Sequence, residues 1–153
     1  MIRCICVGKI KEKTLQTCIL EYVKRIQPYH KLEIVEVADE PTTLHNNKAM
    51  EKEGERILAK IKEKEFVVLL DLKGETFDSL SFADKLENTL ATKGNQVAFV
   101  IGGSQGVSKE VVERADLYWK LSDCTFPHGI VRLLLVEQIY RAFRILNKEP
   151  YHK

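Results

Sequence analysis

Hydrophobic positions along the chain alternate between short apolar runs and stripes at helical spacing, the two periods that separate strands from helices. Ile2–Val7 is nearly all apolar and predicts a first strand. Residues 14–26 follow as a helix, with Leu15, Cys18, Ile19, Tyr22, Val23 and Ile26 on one face. Leu32–Val37 predicts a second strand, closed by the turn residues Asp39, Glu40 and Pro41. Residues 47–64 are charged yet amphipathic, with Met50, Gly54, Ile57, Leu58 and Ile61 aligned. Residues 66–72 form an apolar strand interrupted by Asp71, and Ser81 opens a capped helix running to Thr92. Val97–Ile101 is a fully apolar strand, Ser108 caps a short helix through Ala115, and residues 117–121 give a last strand. Residues 130–146 make a final, strongly apolar helix. Five strands, each leading into a helix or a helix-leading loop, predict one α/β domain over residues 1–153. Its mostly parallel sheet would carry helices on both faces.

Composition narrows this picture only a little. Of the 153 residues 44% are hydrophobic and 30% charged, ordinary for a globular protein with a core. No apolar run approaches the roughly 20 residues of a membrane span, and the N-terminus enters a strand without a signal-peptide layout. Cys4, Cys6, Cys18 and Cys124 sit among apolar neighbours without zinc-ligand spacing. They are expected as buried or partly buried reduced thiols, which suits the cytoplasm, and no metal is expected. Charge is distributed unevenly. Residues 1–31 carry seven Lys/Arg against two acids, residues 32–101 nine against fourteen, and residues 102–153 eight against six. Basic ends around an acidic middle allow a phosphate-binding face, as they allow a merely solvated surface.

Ligands of such sheets bind at the carboxyl ends of the strands, and three strand ends here are unusual. Residues 69–74 close the third strand with Asp71, Lys73 and Gly74. The fourth strand runs into Gly102, Gly103, Ser104, Gln105 and Gly106, three glycines within five residues. Glycine permits close backbone approach and positive φ, although a tight turn alone would also use it. The run lacks the Gly-Lys-Ser/Thr of a phosphate loop. It also falls too late in the chain for a dinucleotide fingerprint, and the first strand ends simply in Val7, Gly8 and Lys9. A long polar loop from Leu121 through Ser122, Asp123, Cys124, Thr125 and Phe126 leads to Pro127 at a helix start. Free backbone groups there suit the edge of an adenine, or an ordinary strand-to-helix connection.

The final helix is apolar nearly all round, so it is either deeply central or part of a two-fold interface. Arg132 interrupts the run, and Glu137, Arg141 and Arg144 mark a polar side that is either functional or simply solvated. The chain ends in Tyr151, His152 and Lys153, a short polar tail that also carries groups for stacking, proton transfer and phosphate contact.

Taken in order, several motifs resemble the RlmH family of SPOUT-class methyltransferases over the whole chain. They are residues 7–9 and 52–56, Ile101-Gly102-Gly103-Ser104 with Gly106, Leu121-Ser122 through Thr125-Phe126-Pro127-His128, residues 137–143, and Pro150-Tyr151-His152-Lys153. The resemblance implies an α/β-knot fold with a C-terminal trefoil knot and a homodimer. It also implies S-adenosylmethionine-dependent methylation of N3 of a pseudouridine in 23S ribosomal RNA within the ribosome. By motif, Leu70, Gly102, Gly103, Leu121, Ser122, Asp123, Cys124, Thr125 and Phe126 would hold the cofactor. His152 or Tyr151 would position or deprotonate the target base, and Arg141 would stabilise the developing anion. Lys9, Lys11, Lys13, Lys24 and Arg25 are candidate phosphate contacts. A non-catalytic ribosome-binding factor of the same fold, and a small flavodoxin-like nucleotide-binding enzyme, are the rival readings.

Overall fold

The computed structural model describes residues 1–41, 43 and 46–153. Five strands, β1 (Ile2–Val7), β2 (Leu32–Val37), β3 (Phe66–Thr76), β4 (Val97–Ile101) and β5 (Leu117–Lys120), form one sheet in the order β2-β1-β4-β3-β5. Every pairing is parallel, with Ile2 opposite both Leu32 and Val97, and Phe66 opposite Val97. Parallel strands need crossovers, and α1 (Lys13–Ile26), α2 (Asn46–Lys60), α3 (Ser79–Thr92), α4 (Lys109–Arg114) and α5 (His128–Leu146) alternate with them. Strand side chains alternate between faces, so the sheet has two cores. Ile2, Cys4, Cys6, Val68, Val97, Phe99, Ile101 and Trp119 face α1, α3 and α5. Ile5, Val7, Val67, Leu69, Ala98 and Val100 face the other layer, where Ile57 and Val111 cover them from α2 and α4. The α/β architecture expected from the apolar rhythm is therefore present.

Where element ends differ from the sequence pattern, a side chain accounts for the difference. Helix α2 stops at Lys60, short of residue 64, because arginines take the carbonyls that follow. Arg3 Nη2 donates to Lys60 O at 2.6 Å, and Arg114 Nη2 donates to Lys62 O and Glu65 O at 3.2 and 2.9 Å. Arg3 is itself buried and pairs with buried Glu65, its Nε donating to Oε1 at 2.6 Å. Helix α3 begins at Ser79, earlier than Ser81, because Asp78 is the cap: its Oδ1 accepts from Ser81 N at 2.7 Å. Ser108 caps α4 by accepting from Val111 N at 3.4 Å, and Pro127 precedes α5.

Strand β3 runs to Thr76, beyond the apolar run that predicted its end at residue 72. Leu70 and Glu75 both lie opposite Trp119, so residues 71–74 are looped out of the β3–β5 register. Gly74 is required where that loop crosses β5, since a Cβ there would lie 2.5 Å from Tyr118 C. Among the cysteines, Cys4 and Cys6 are buried, but Cys18 and Cys124 are exposed. That corrects the expectation for two of the four, because Cys18 falls outside the part of α1 that meets the sheet and Cys124 lies in a surface loop.

Helix α5 packs between α1 and α3, which explains why apolar residues surround it. Leu135, Val136, Ile139, Ala142 and Phe143 are buried in this layer. Arg132 is buried as well: its Nη1 donates to Glu36 Oε2 at 2.8 Å and its Nη2 to Gly8 O at 3.1 Å, tying α5 to the ends of β1 and β2. No helix among the described residues is long and apolar enough to cross a membrane.

Candidate functional site

The carboxyl ends of β3, β4 and β5 open into a cavity of about 390 Å³. Leu70 and the looped-out Asp71, Leu72 and Lys73 supply one wall, and Ile101, Gly102, Gly103, Gly106 and Val107 supply a second. Trp119, Leu121, Ser122, Cys124, Thr125 and Phe126 close the third side, and His128 and Val131 of α5 complete the lining. The volume lies within the roughly 300–1,000 Å³ common for small-molecule sites. Its aromatic and aliphatic surfaces suit a flat heterocycle.

The glycine turn is shaped by real steric limits. Gly106 has φ +94°, a left-handed conformation that side chains resist, and its N–H donates to Gly103 O at 3.1 Å. A Cβ on Gly102 would come within 2.5 Å of Val107 Cγ1. In the opposite loop, Cys124 N–H donates to Ser122 Oγ at 3.0 Å. The two loops thus set main-chain groups beside the apolar side chains of the cavity wall.

Eight of the nine residues expected at a cofactor site by motif line this cavity: Leu70, Gly102, Gly103, Leu121, Ser122, Cys124, Thr125 and Phe126. Asp123 does not. Its carboxylate is turned outward and accepts from Lys120 Nζ at 2.6 Å, which holds it below the usual carboxylate range. The motifs did not single out Val107, Trp119 or Val131, and His128, though within one of them, was not assigned to the cofactor. Trp119 was legible in principle, since period-two alternation places it on the same face as Leu117 and Leu121.

A second cavity, about 550 Å³, shares Trp119, Leu121, Ser122 and Phe126 with the first and has His152 on its wall. Arg141 and Tyr151 line neither cavity. They form a cluster that holds the tail. Glu137 Oε1 accepts from Arg141 Nη2 at 2.6 Å, Arg141 Nε at 3.0 Å and Tyr151 OH at 3.1 Å. Arg141 Nη1 lies 3.2 Å from His152 Nδ1, and the guanidinium sits over the Tyr151 ring at 4.7 Å. Burial, hydrogen bonding to Tyr22 and the Glu137 carboxylate together push the Tyr151 phenol well above its ordinary range. Arg144 pairs with Glu149 at 2.5 Å, and Tyr29 OH donates to the same carboxylate at 2.7 Å. The polar side of α5 is thus engaged by the tail rather than simply solvated.

The five candidate phosphate contacts are spread out. Lys9 and Lys11 line a third cavity of about 600 Å³ beside the first. Lys13 and Lys24 lie in the first and last turns of α1, about 16 Å apart along its axis. Arg25 is occupied by Glu21 at 3.1 Å.

The family described as Predicted SPOUT methyltransferase matches residues 1–152. The chain is 51% identical to Ribosomal RNA large subunit methyltransferase H of Clostridium botulinum (strain Hall), over 99% of each chain. It is 48% identical to the protein of the same name from Carboxydothermus hydrogenoformans, again over 99% of each. A probable methylase family protein from Haemophilus influenzae Rd KW20 has a similar fold, with a TM-score of 0.51 at 13% identity. That alignment covers 96% of this chain and 66% of the other.

Proposed function

The chain belongs to the SPOUT methyltransferase family, and on that footing we propose that it methylates ribosomal RNA with S-adenosylmethionine as donor. The observation that carries this reading is the meeting of Leu70, the Gly102 turn and residues 121–126 around one cavity. Its residues fit the donor's nucleoside: Leu70, Leu121, Phe126 and Trp119 offer apolar contact, and the two loops offer main-chain groups to a purine edge. We take Leu70, Gly102, Gly103, Leu121, Ser122, Cys124, Thr125 and Phe126 as the holding residues. Asp123 would contribute through its backbone alone.

In finer detail, the target is N3 of a pseudouridine in 23S RNA, reached on the assembled ribosome by a cytoplasmic homodimer with the family's knotted topology. The resemblance of the ordered motifs to the RlmH family supports this. Exposed Leu72 and Leu80, close to the two cavities, supply apolar surface for a subunit contact.

When bound, the donor supplies an electrophilic methyl group on a sulfonium. The protein's own contribution is chiefly alignment of the acceptor, an effect that supplies about 7–11 kcal/mol in favourable cases. The acceptor is an imide nitrogen that must lose its proton. If its pKa lies about two units above neutrality, deprotonation costs only about 2.7 kcal/mol. His152 is the tail group placed beside the shared Trp119–Phe126 wall, which favours it as proton acceptor. Tyr151 is held protonated and Arg141 is held by Glu137, so both position His152, and Arg141 offers positive charge to the developing anion. The test is incubation of undermethylated ribosomes with the protein and methyl-labelled donor. Label in 23S RNA is expected, whereas ribosome binding without label or donor affinity would favour the non-catalytic reading.

A further inference from the structure

The cavity beside Gly8 is separate from the one that suits a nucleoside, yet Gly103 and His128 line both. We propose that it receives the amino-acid end of the methyl donor, with Glu53 accepting from the α-ammonium group. This rests on the S-adenosylmethionine reading above.

Glu53 is 5% exposed and lies on α2, which crosses over the ends of β1 and β2. One carboxylate oxygen, Oε1, accepts from Glu40 N–H at 3.0 Å. The other, Oε2, is buried with no hydrogen-bond partner among the described residues. Among the described residues no cation pairs with it: Arg56, nearby on the same helix, is taken by Glu40 and by Ala38 O. A buried acceptor left empty is costly unless a ligand completes it. The residue packed against Oε2 is Gly103, where a Cβ would stand only 2.7 Å away. Glycine at this position leaves the oxygen uncapped on the side nearest the nucleoside cavity.

The surrounding charges match a zwitterion. Four acids line the cavity, buried Glu53, Glu40 paired with Arg56, and exposed Glu12 and Asp39, the last packed against Gly8, together with exposed Lys9 and Lys11. The acids suit an ammonium group and the lysines an α-carboxylate. An RNA phosphate would meet the same lysines but would be repelled by the surrounding carboxylates, so the cavity favours the donor's tail over the nucleic-acid strand.

Two ligands separate the proposal from its premise in calorimetry of the full-length protein. S-adenosylhomocysteine carries the amino-acid end, whereas 5′-methylthioadenosine keeps the nucleoside thioether without it. The wild-type protein is expected to bind the first at least about tenfold more tightly. Glu53→Gln keeps the shape of the side chain and removes its charge. It is expected to lose about tenfold in affinity for S-adenosylhomocysteine while binding 5′-methylthioadenosine unchanged, which also reports an intact fold. Equal losses for both ligands, no loss for either, or equal wild-type affinities would overturn the subsite while leaving the cofactor reading standing. A wild-type protein that binds neither ligand would remove both.

Discussion

The hydroxyl of Tyr151 donates to Oε1 of Glu137 across 3.1 Å, fastening the end of the chain to the helix that carries Arg141. The Tyr151 ring also meets Tyr140 edge-on at 4.9 Å. The tail is therefore an ordered part of the molecule, and it sets His152 beside the wall that the two cavities share.

Removal of residues 151–153 is expected to lower methyl transfer to ribosomes by about 10²-fold or more, the usual scale for a lost acid–base group. Affinity for S-adenosylmethionine should change little, because none of these residues lines the nucleoside cavity. Tyr151→Phe should cost far less and leave the pH profile of the rate unaltered, since the phenol is held protonated. Transfer at the full rate by the truncated protein would remove the tail from the mechanism.

The Arg3–Glu65 pair sets an acid limit on stability. Burial alone would raise the Glu65 carboxyl, but hydrogen bonds from Arg3 and the Lys62 amide outweigh it and hold the group below its ordinary 4.5. A carboxyl depressed in the folded state stabilises the fold above the unfolded pKa, and that contribution fades as pH falls through the folded value. Thermal unfolding should therefore show stability falling once pH drops below about 4.5. Glu65→Ala, which leaves Arg3 buried and unpaired, should cost about 3–5 kcal/mol at neutral pH.

Thiol labelling should separate the cysteines into two classes. Exposed Cys18 and Cys124 are expected to react in the native protein. Cys4 and Cys6 should react only on unfolding, as burial pushes the Cys6 thiol up to about 11 and Cys4 also well above its usual range. Saturating S-adenosylmethionine should slow labelling of Cys124, which lines the nucleoside cavity, and leave Cys18 unaffected. Protection of neither residue would place the donor elsewhere.

Much of this arrangement was readable from residue order, and the failures were local. Short apolar runs located all five strands, because a strand buried on both faces leaves little room for polar residues. The end of β3 was hidden because Asp71, Lys73, Glu75 and Thr76 resemble a loop, and only the pairing of Glu75 and Thr76 with Trp119 and Lys120 of β5 extends the strand past the looped-out residues. The start of α3 was misplaced because Ser81 looks like a cap, whereas it bonds to the true one, Asp78. At the site, motif order brought together residues from three distant turns but could not orient Asp123, whose direction depends on Lys120. Glu53 gave no sign of its position, since one acid among many on a charged helix carries no record of burial.

The packing of α2 on α4 can be tested at Gly54. A Cβ there would stand 2.2 Å from Ser108 Oγ and 2.9 Å from its Cβ. Gly54→Ala must displace the residue that caps α4, so a loss of about 1–3 kcal/mol is expected by denaturant unfolding. A neutral or stabilising result, as helix propensity alone would give, would mean that the two helices separate without cost.

Mass spectrometry of 23S RNA from cells with and without this protein tests the central claim most directly. One methyl group on a pseudouridine should be present in the first sample, absent from the second, and restored by the wild-type chain. An identical methylation pattern in both samples would contradict the account.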